Sequence, residues 1–174
     1  MTKLSPITKD NTLILTVGLP YSGKSTWARL QAHPIVNPDA VRMAVYGQRF
    51  WPDGEKIVWA IVDQMVRSLF MAGHRAVILD ACNTTRKRRA EWYGDRRPWK
   101  VRFHHIPTPE NVCTSRAIDA GDKTILPIIE RMADQFEPVG EDEGQELEIQ
   151  AAGGGEATGP VGDPGGSIGG GGGF

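Results

Sequence analysis

Gly18-Leu-Pro-Tyr-Ser-Gly-Lys-Ser25 follows directly on the apolar run Thr12-Leu-Ile-Leu-Thr-Val17. The spacing is G-x-x-x-x-G-K-[ST], which needs a strand before it and a helix after it. The apolar run supplies the first, and Ser25 to Gln31 reads as the second. A loop of this composition turns successive backbone N–H groups inward, and the following helix adds the positive end of its dipole. Such a cradle fits a triphosphate. Gly18, Ser22, Gly23, Lys24, Ser25 and Thr26 are the expected contacts, with Lys24 reaching the β and γ phosphates and Ser25 holding Mg²⁺ through its hydroxyl. A Gly-rich turn that merely contains Lys and Ser is the bland alternative, and the agreement of strand, spacing and helix argues against it. Tyr21 stands where many such loops carry a small residue and is given no role.

Outward from the loop, Thr12 to Val17 has the near-continuous apolarity of a central parallel strand covered on both faces. A second short run, Pro34 to Val36, leads into Asn37-Pro38-Asp39, where Asp39 is expected to cap a helix from Ala40 to Tyr46 that ends at Gly47. After a loop, Glu55 to Ala72 reads as a long helix. One stripe carries Ile57, Ile61, Met65 and Leu69, with Val58, Val62, Val66 and Phe70 beside it, and Gly73 is the stop. Arg75 to Asp80 is another buried-type strand. Thr84 or Thr85 caps a short basic helix through Trp92, and Trp99 to Ile106 is the next strand. A helix opens at Thr108-Pro109 and runs to about Ile118. Ala120-Gly121-Asp122 interrupts it, Ile125 to Phe136 resumes as helix, and Glu146 to Ile149 alternates enough for a last strand. Strands alternating with helices predict an α/β fold with a mostly parallel sheet.

The 174 residues suit one domain, 1–150, and an appendage, 151–174. Half of that appendage is glycine, a composition expected to remain a flexible coil. Cys82 and Cys113 show no metal-ligand spacing and read as reduced thiols. Neither a signal peptide nor a membrane span is evident, so a cytoplasmic protein is expected. The net charge of -1 conceals an asymmetry, because residues 141–174 hold seven of the 21 acids and none of the 20 bases. The first 140 residues therefore carry about +6.

In open parallel sheets ligands bind beyond the carboxyl ends of the strands. After the second strand stands Asp39, with Arg42 one helical turn later on the same face. The acid is placed to take the proton of an attacking hydroxyl, and Arg42 to hold an anionic group on the acceptor. A helix cap with a surface ion pair is the competing reading. Asp80 ends the third strand, where an acid can support Mg²⁺; an ordinary strand-end acid is its alternative. The basic run Arg86, Lys87, Arg88, Arg89, continued by Arg96, Arg97, Lys100 and Arg102, reads first as a solvated face. With Trp92, Tyr93 and Trp99 interspersed, it also suits single-stranded nucleic acid. His104 and His105 lie in a strand and face opposite sides, in packing or surface roles. Between the last two helices, Arg116 and Lys123 are candidates to reach a transferring phosphate from a mobile lid, or are plain surface charges.

Four stretches together resemble the P-loop kinase group of phage polynucleotide 5′-hydroxyl kinases and their bacterial relatives, with zeta-toxin-like kinases more distant. They are Gly18 to Arg29, Asn37-Pro-Asp-Ala-Val-Arg42, Val77-Ile-Leu-Asp-Ala-Cys-Asn83 with Arg86 and Arg89, and Cys113-Thr-Ser-Arg116. The resemblance covers about residues 12–137. It implies an AAA-type ATP-binding kinase domain of the P-loop NTPase fold: three α/β/α layers, a five-stranded sheet and a small helical lid. It further implies that Asp39 is general base, that Arg42 contacts the acceptor phosphate and that Arg116 belongs to the lid. Relatives commonly carry a second lid arginine just before a glycine, where this chain has Ala120-Gly121; either Lys123 substitutes or transfer is weaker.

The expected activity is ATP- and Mg²⁺-dependent phosphorylation of a hydroxyl, with the 5′ end of a nucleic acid as leading acceptor. A small-molecule kinase acting on a sugar, nucleoside or antibiotic is the first alternative. An ATP-binding module without transfer activity is the second.

Overall fold

The computed structural model describes residues 4–143 and 146–149. The glycine-rich 151–174 segment lies outside the described residues. Five strands, β1 (Thr12–Val17), β2 (Ile35–Val36), β3 (Ala76–Leu79), β4 (Lys100–His105) and β5 (Glu146–Ile149), form one sheet in the order β2-β3-β1-β4-β5. Every pairing is parallel. β1 is therefore central, with Leu13 opposite both Val77 and Val101. The connecting helices are α1 (Lys24–Leu30), α2 (Pro38–Tyr46), α3 (Glu55–Met71), α4 (Arg86–Ala90), α5 (Glu110–Asp119) and α6 (Leu126–Asp134). This is the α/β architecture with a parallel sheet that the alternation of strands and helices predicts. Among the described residues no helix is long and apolar enough to cross a membrane.

The alternation of β1 explains its continuous apolarity. Leu13, Leu15 and Val17 enter the larger core with Val77, Leu79, Val101 and Phe103, while Ile14 packs on the opposite face with Ala28 of α1 and Ile78. α3 closes the larger core with Val58, Val62, Val66 and Phe70, all fully buried. The parallel stripe expected beside it is peripheral: Ile57 and Met65 are exposed, and Ile61 and Leu69 pack on its shoulder. A helix lying on a sheet buries only one face, and here the β-branched valines take it. A small separate core of Leu19, Cys113, Ala117 and Ile129 fastens the loop after β1 to α5 and α6.

The basic run is divided rather than uniformly solvated. Thr85 caps α4 by accepting from the Arg88 N–H, and the helix ends at Ala90, short of the Trp92 expected. Arg89 is fully buried. Its guanidinium makes five hydrogen bonds: two to Glu143, both 2.8 Å, and one each to the carbonyls of Asn83, Glu137 and Pro138. All its donors are spent inside the protein. The pair joins the segment after β3 to the segment before β5, and Arg89 is unavailable to any polyanion.

Arg89→Ala leaves Glu143 buried without its partner and is expected to cost about 3–5 kcal/mol of stability in urea unfolding. Pairing it with Glu143→Ala should recover part of that loss. A cost below about 1 kcal/mol for the single substitution would remove the bridge from the account.

Candidate active site

The loop after β1 is shaped by contacts that exclude side chains and engage carbonyls. The Gly18 N–H donates to the Cys82 carbonyl at 3.0 Å. With φ at 153°, a Cβ on Gly18 would lie 2.8 Å from Ser22 Oγ and 2.9 Å from the Ile106 carbonyl. Only glycine fits there. Gly23, with φ at 108°, precedes α1 as its N-cap. The buried Ser22 turns its carbonyl toward α5, where it accepts from Thr108 Oγ1 at 2.8 Å and from Arg116 Nη1 at 3.2 Å. Arg116 also donates to the Tyr21 carbonyl at 3.1 Å. The arginine expected on a mobile lid thus already rests against the loop. Lys24 is buried and donates from Nζ to the Leu19 carbonyl at 2.5 Å and to Ser22 Oγ at 3.4 Å. Ser25 is half-buried in the first turn of α1, and Thr26, one residue on, is exposed.

Neighbouring strand ends bring the carboxylates alongside. Thr16, facing away from the larger core, accepts the Ala81 N–H at 3.1 Å and donates to the Ala81 carbonyl at 2.8 Å. This fixes the turn after β3 beside the loop. Asp80, at the start of that turn, is buried. Asn37 Nδ2 donates to Asp80 Oδ2 at 3.0 Å, while Asn37 Oδ1 accepts the Ala40 N–H at 2.9 Å. The cap of α2 is therefore Asn37 and not Asp39. Pro38 occupies the first turn, which moves the cap one position ahead of the proline. Asp39 is released from capping and stands exposed in the first turn, 2.5 Å from Arg42 Nη1. Arg42 also makes a bidentate pair with Glu55 at 2.7 and 2.8 Å. The hydrogen bonds from Arg42 hold the Glu55 carboxyl below its ordinary pKa. The ion pair that competed with a functional reading of Asp39 and Arg42 is present, and it presents the acid to solvent.

On the opposite flank, at the carboxyl ends of β1 and β4, lies a cavity of about 290 Å³ lined by Gly18, Leu19, His105, Ile106, Thr108 and Phe136, among others. β1 and β4 are where the chain reverses its order across the sheet, the usual position of a ligand crevice. His105 stacks on Phe136 at 5.4 Å, and His104 faces the other way, stacked on Trp27 at 3.6 Å. Burial lowers the pKa of His105. Cys82, carrying the carbonyl that holds Gly18, has a thiol pushed up by burial, against the charge of Lys24.

Several site-shaping residues escaped sequence reading. Asn37 had a usable signal, since Asn before Pro at a helix start marks a cap. Glu55, Thr108, Asp122 and Arg49 had none, because each meets its partner across the sheet or across a loop. Tyr21 turns out to be engaged, with φ at 61° and its hydroxyl donating to Asp122 Oδ2 at 3.0 Å.

Fold and site together define a P-loop kinase domain. The AAA domain family matches residues 13–138, and the chain belongs to it. Among solved structures, it is similar to a chain of the Pnkp1/Rnl/Hen1 complex, with 25% identity and a TM-score of 0.52, over 61% of this chain and 38% of that one. The chain thus spans well under half the length of that relative. A fungal RNA kinase aligns with 11% identity and a TM-score of 0.57, over 84% of this chain and 76% of that one. A gluconokinase from Sinorhizobium meliloti aligns with 18% identity and a TM-score of 0.50, over 82% of each chain. The last two likenesses establish the fold alone. Comparison with curated protein sequences gives no match.

Gly18→Ala is expected to force the loop off Ser22 and Ile106. ATP should raise the melting temperature of wild type by several degrees at saturation and that of the variant by less than about a degree.

Proposed function

We propose that this chain is an ATP-dependent phosphotransferase that moves the γ-phosphoryl group to a hydroxyl, with the 5′-hydroxyl of a polynucleotide as acceptor. The observation that carries the reading is the row formed at the carboxyl ends of β2, β3 and β1: Asp39, Asp80 and the phosphate loop. In this reading the loop amides and Lys24 bind the β and γ phosphates, with Gly18, Ser22, Gly23, Ser25 and Thr26 completing the cradle. Lys24 exchanges its carbonyl partner on Leu19 for phosphate oxygen. Arg116, already on the loop, adds positive charge beside the transferring group. Asp39 takes the acceptor proton, and Arg42 orients Asp39 and lies next to an anionic group on the acceptor. The purine has room in the cavity beyond β4, on the flank away from Asp39.

The residues present fit Mg²⁺. Asp80 is a buried carboxylate whose Oδ2 is oriented by Asn37, and Ser25 offers a hydroxyl. Among the described residues no cluster of three or more His, Cys, Asp or Glu could hold a metal, which suits an ion bound by one carboxylate, one hydroxyl and substrate phosphates. When bound, the ion neutralises phosphate charge. Cys82 and Cys113 are free thiols, in keeping with a cytoplasmic setting.

The polynucleotide acceptor is supported by the 25% identity to a chain of the Pnkp1/Rnl/Hen1 complex and by Arg42 next to the base. One observation favours a small hydroxyl acceptor such as a sugar. The basic stretch spends much of its charge internally: Arg86 pairs with Asp142, Arg88 with Glu91, Arg89 with Glu143 and Arg97 with Asp63.

Labelled ATP offered with 5′-hydroxyl oligonucleotides and with a panel of sugars decides between them. The proposal expects label on the oligonucleotide, transfer that falls steeply with salt, and a loss of about a hundredfold or more in kcat for Asp39→Asn. Label on a sugar alone, insensitive to salt, would contradict the acceptor assignment.

A further inference from the structure

The cations around the loop are mostly committed. Lys24 donates to the Leu19 carbonyl, Arg116 to two loop carbonyls, and Arg42 to Glu55 on two bonds. Arg49 differs. It sits in the segment between α2 and α3 on the Asp39 flank, its side chain is 70% exposed, and Nη1 meets Asp122 Oδ2 at 2.5 Å. Asp122 lies in the turn between α5 and α6. That carboxylate is itself tied to the phosphate loop by the Tyr21 hydroxyl. Tyr21 in turn packs against the small core of Leu19, Cys113, Ala117 and Ile129. The bridge from Arg49 through Asp122 to Tyr21 therefore ties the segment before α3 to the α5–α6 turn and to the phosphate loop. The hydrogen bond to Asp122, and then the charge of that carboxylate, push the Arg49 pKa up, with Asp39 contributing.

We propose that Arg49 is a catalytic residue that contacts the transferring phosphoryl group. The inference rests on the phosphotransferase reading. Arg49 can leave without orphaning Asp122, because the hydroxyls of Tyr21 and Thr124 go on donating to that carboxylate at 3.0 and 2.8 Å. A guanidinium binds phosphate on two parallel bonds, which a lysine cannot match. Gly121, with φ at 73° and open space around it, lets the turn carrying Asp122 adjust as Arg49 leaves. During transfer, the bond from the γ phosphorus to the β–γ bridging oxygen breaks and a bond to the acceptor oxygen forms. The acceptor proton passes to the Asp39 carboxylate. Arg49 stays protonated and balances charge on the equatorial oxygens. Lys123, next to Asp122 in sequence, is the rival cation.

The test compares binding of ADP with binding of ADP and aluminium fluoride, which imitates the planar phosphoryl group, in wild type, Arg49→Ala, Arg49→Lys and Lys123→Ala. Arg49 is exposed, so its substitution should leave the fold intact. The proposal expects Arg49→Ala to bind ADP within about twofold of wild type and the fluoroaluminate complex about tenfold or more weakly. Arg49→Lys should recover only part of the loss, and Lys123→Ala should match wild type. Equal trapping by Arg49→Ala and wild type, or the loss falling on Lys123→Ala instead, overturns the role of Arg49 alone. A wild type that takes up neither ADP nor the complex overturns the phosphotransferase reading, and the role of Arg49 with it.

Discussion

The closeness of the backbone at Gly18 is the constraint on which the site depends. β1 runs through the middle of the sheet, so its exit must pass between the turn after β3 and the end of β4. Gly18 is bonded to Cys82 on one side, and a Cβ there would meet the Ile106 carbonyl on the other. Because the exit is that narrow, the next residues fold into a compact loop, in which the Ser22 N–H donates to the Leu19 carbonyl at 3.1 Å and the Ser22 side chain is buried. The hydroxyl of Thr16 and the carbonyl bonds from Thr108 and Arg116 then hold the cradle against both neighbouring strands.

Charge is distributed around this cradle by what each arginine has to do. Arg89 is structural and leaves no donor to spare. Arg97 pairs with Asp63 and lies over Trp92 and Trp99, helping to cover the larger core. Arg116 and Arg42 are positioned by carbonyls and by Glu55, and Arg49 bridges the segment before α3 and the α5–α6 turn. A count of bases in sequence treats all of these alike. Burial and partner separate them: Arg89 is sealed inside, Arg42 and Arg116 are held by their partners beside the loop, and Arg49 is exposed.

How much was legible follows from the range of each interaction. The phosphate loop, the strand before it and the α/β pattern are local, and β1 lies where its apolar run predicts. The ends of β2 and β3 bring Asp39 and Asp80 beside the loop because parallel topology puts every carboxyl end on one edge. The cap of α2 is Asn37 and not the Asp39 that the sequence suggests, because Pro38 takes the first helical position and the residue before it becomes the cap. The buried stripe of α3 was visible only as one of two neighbouring stripes, since periodicity does not say which faces the sheet. Arg89, Glu143, Arg49 and Asp122 could not be read at all, as their partners are 54 and 73 residues away in sequence.

The central claim is that the phosphate loop is a triphosphate site in which Lys24 reads the outer phosphates. Equilibrium binding of ATP and of AMP to wild type and to Lys24→Met tests it most directly. The account predicts that wild type prefers ATP by about a hundredfold or more, since the phosphates carry the binding, and that Lys24→Met loses most of that preference. Equal affinity of wild type for AMP and ATP, or a preference unchanged in Lys24→Met, would contradict it.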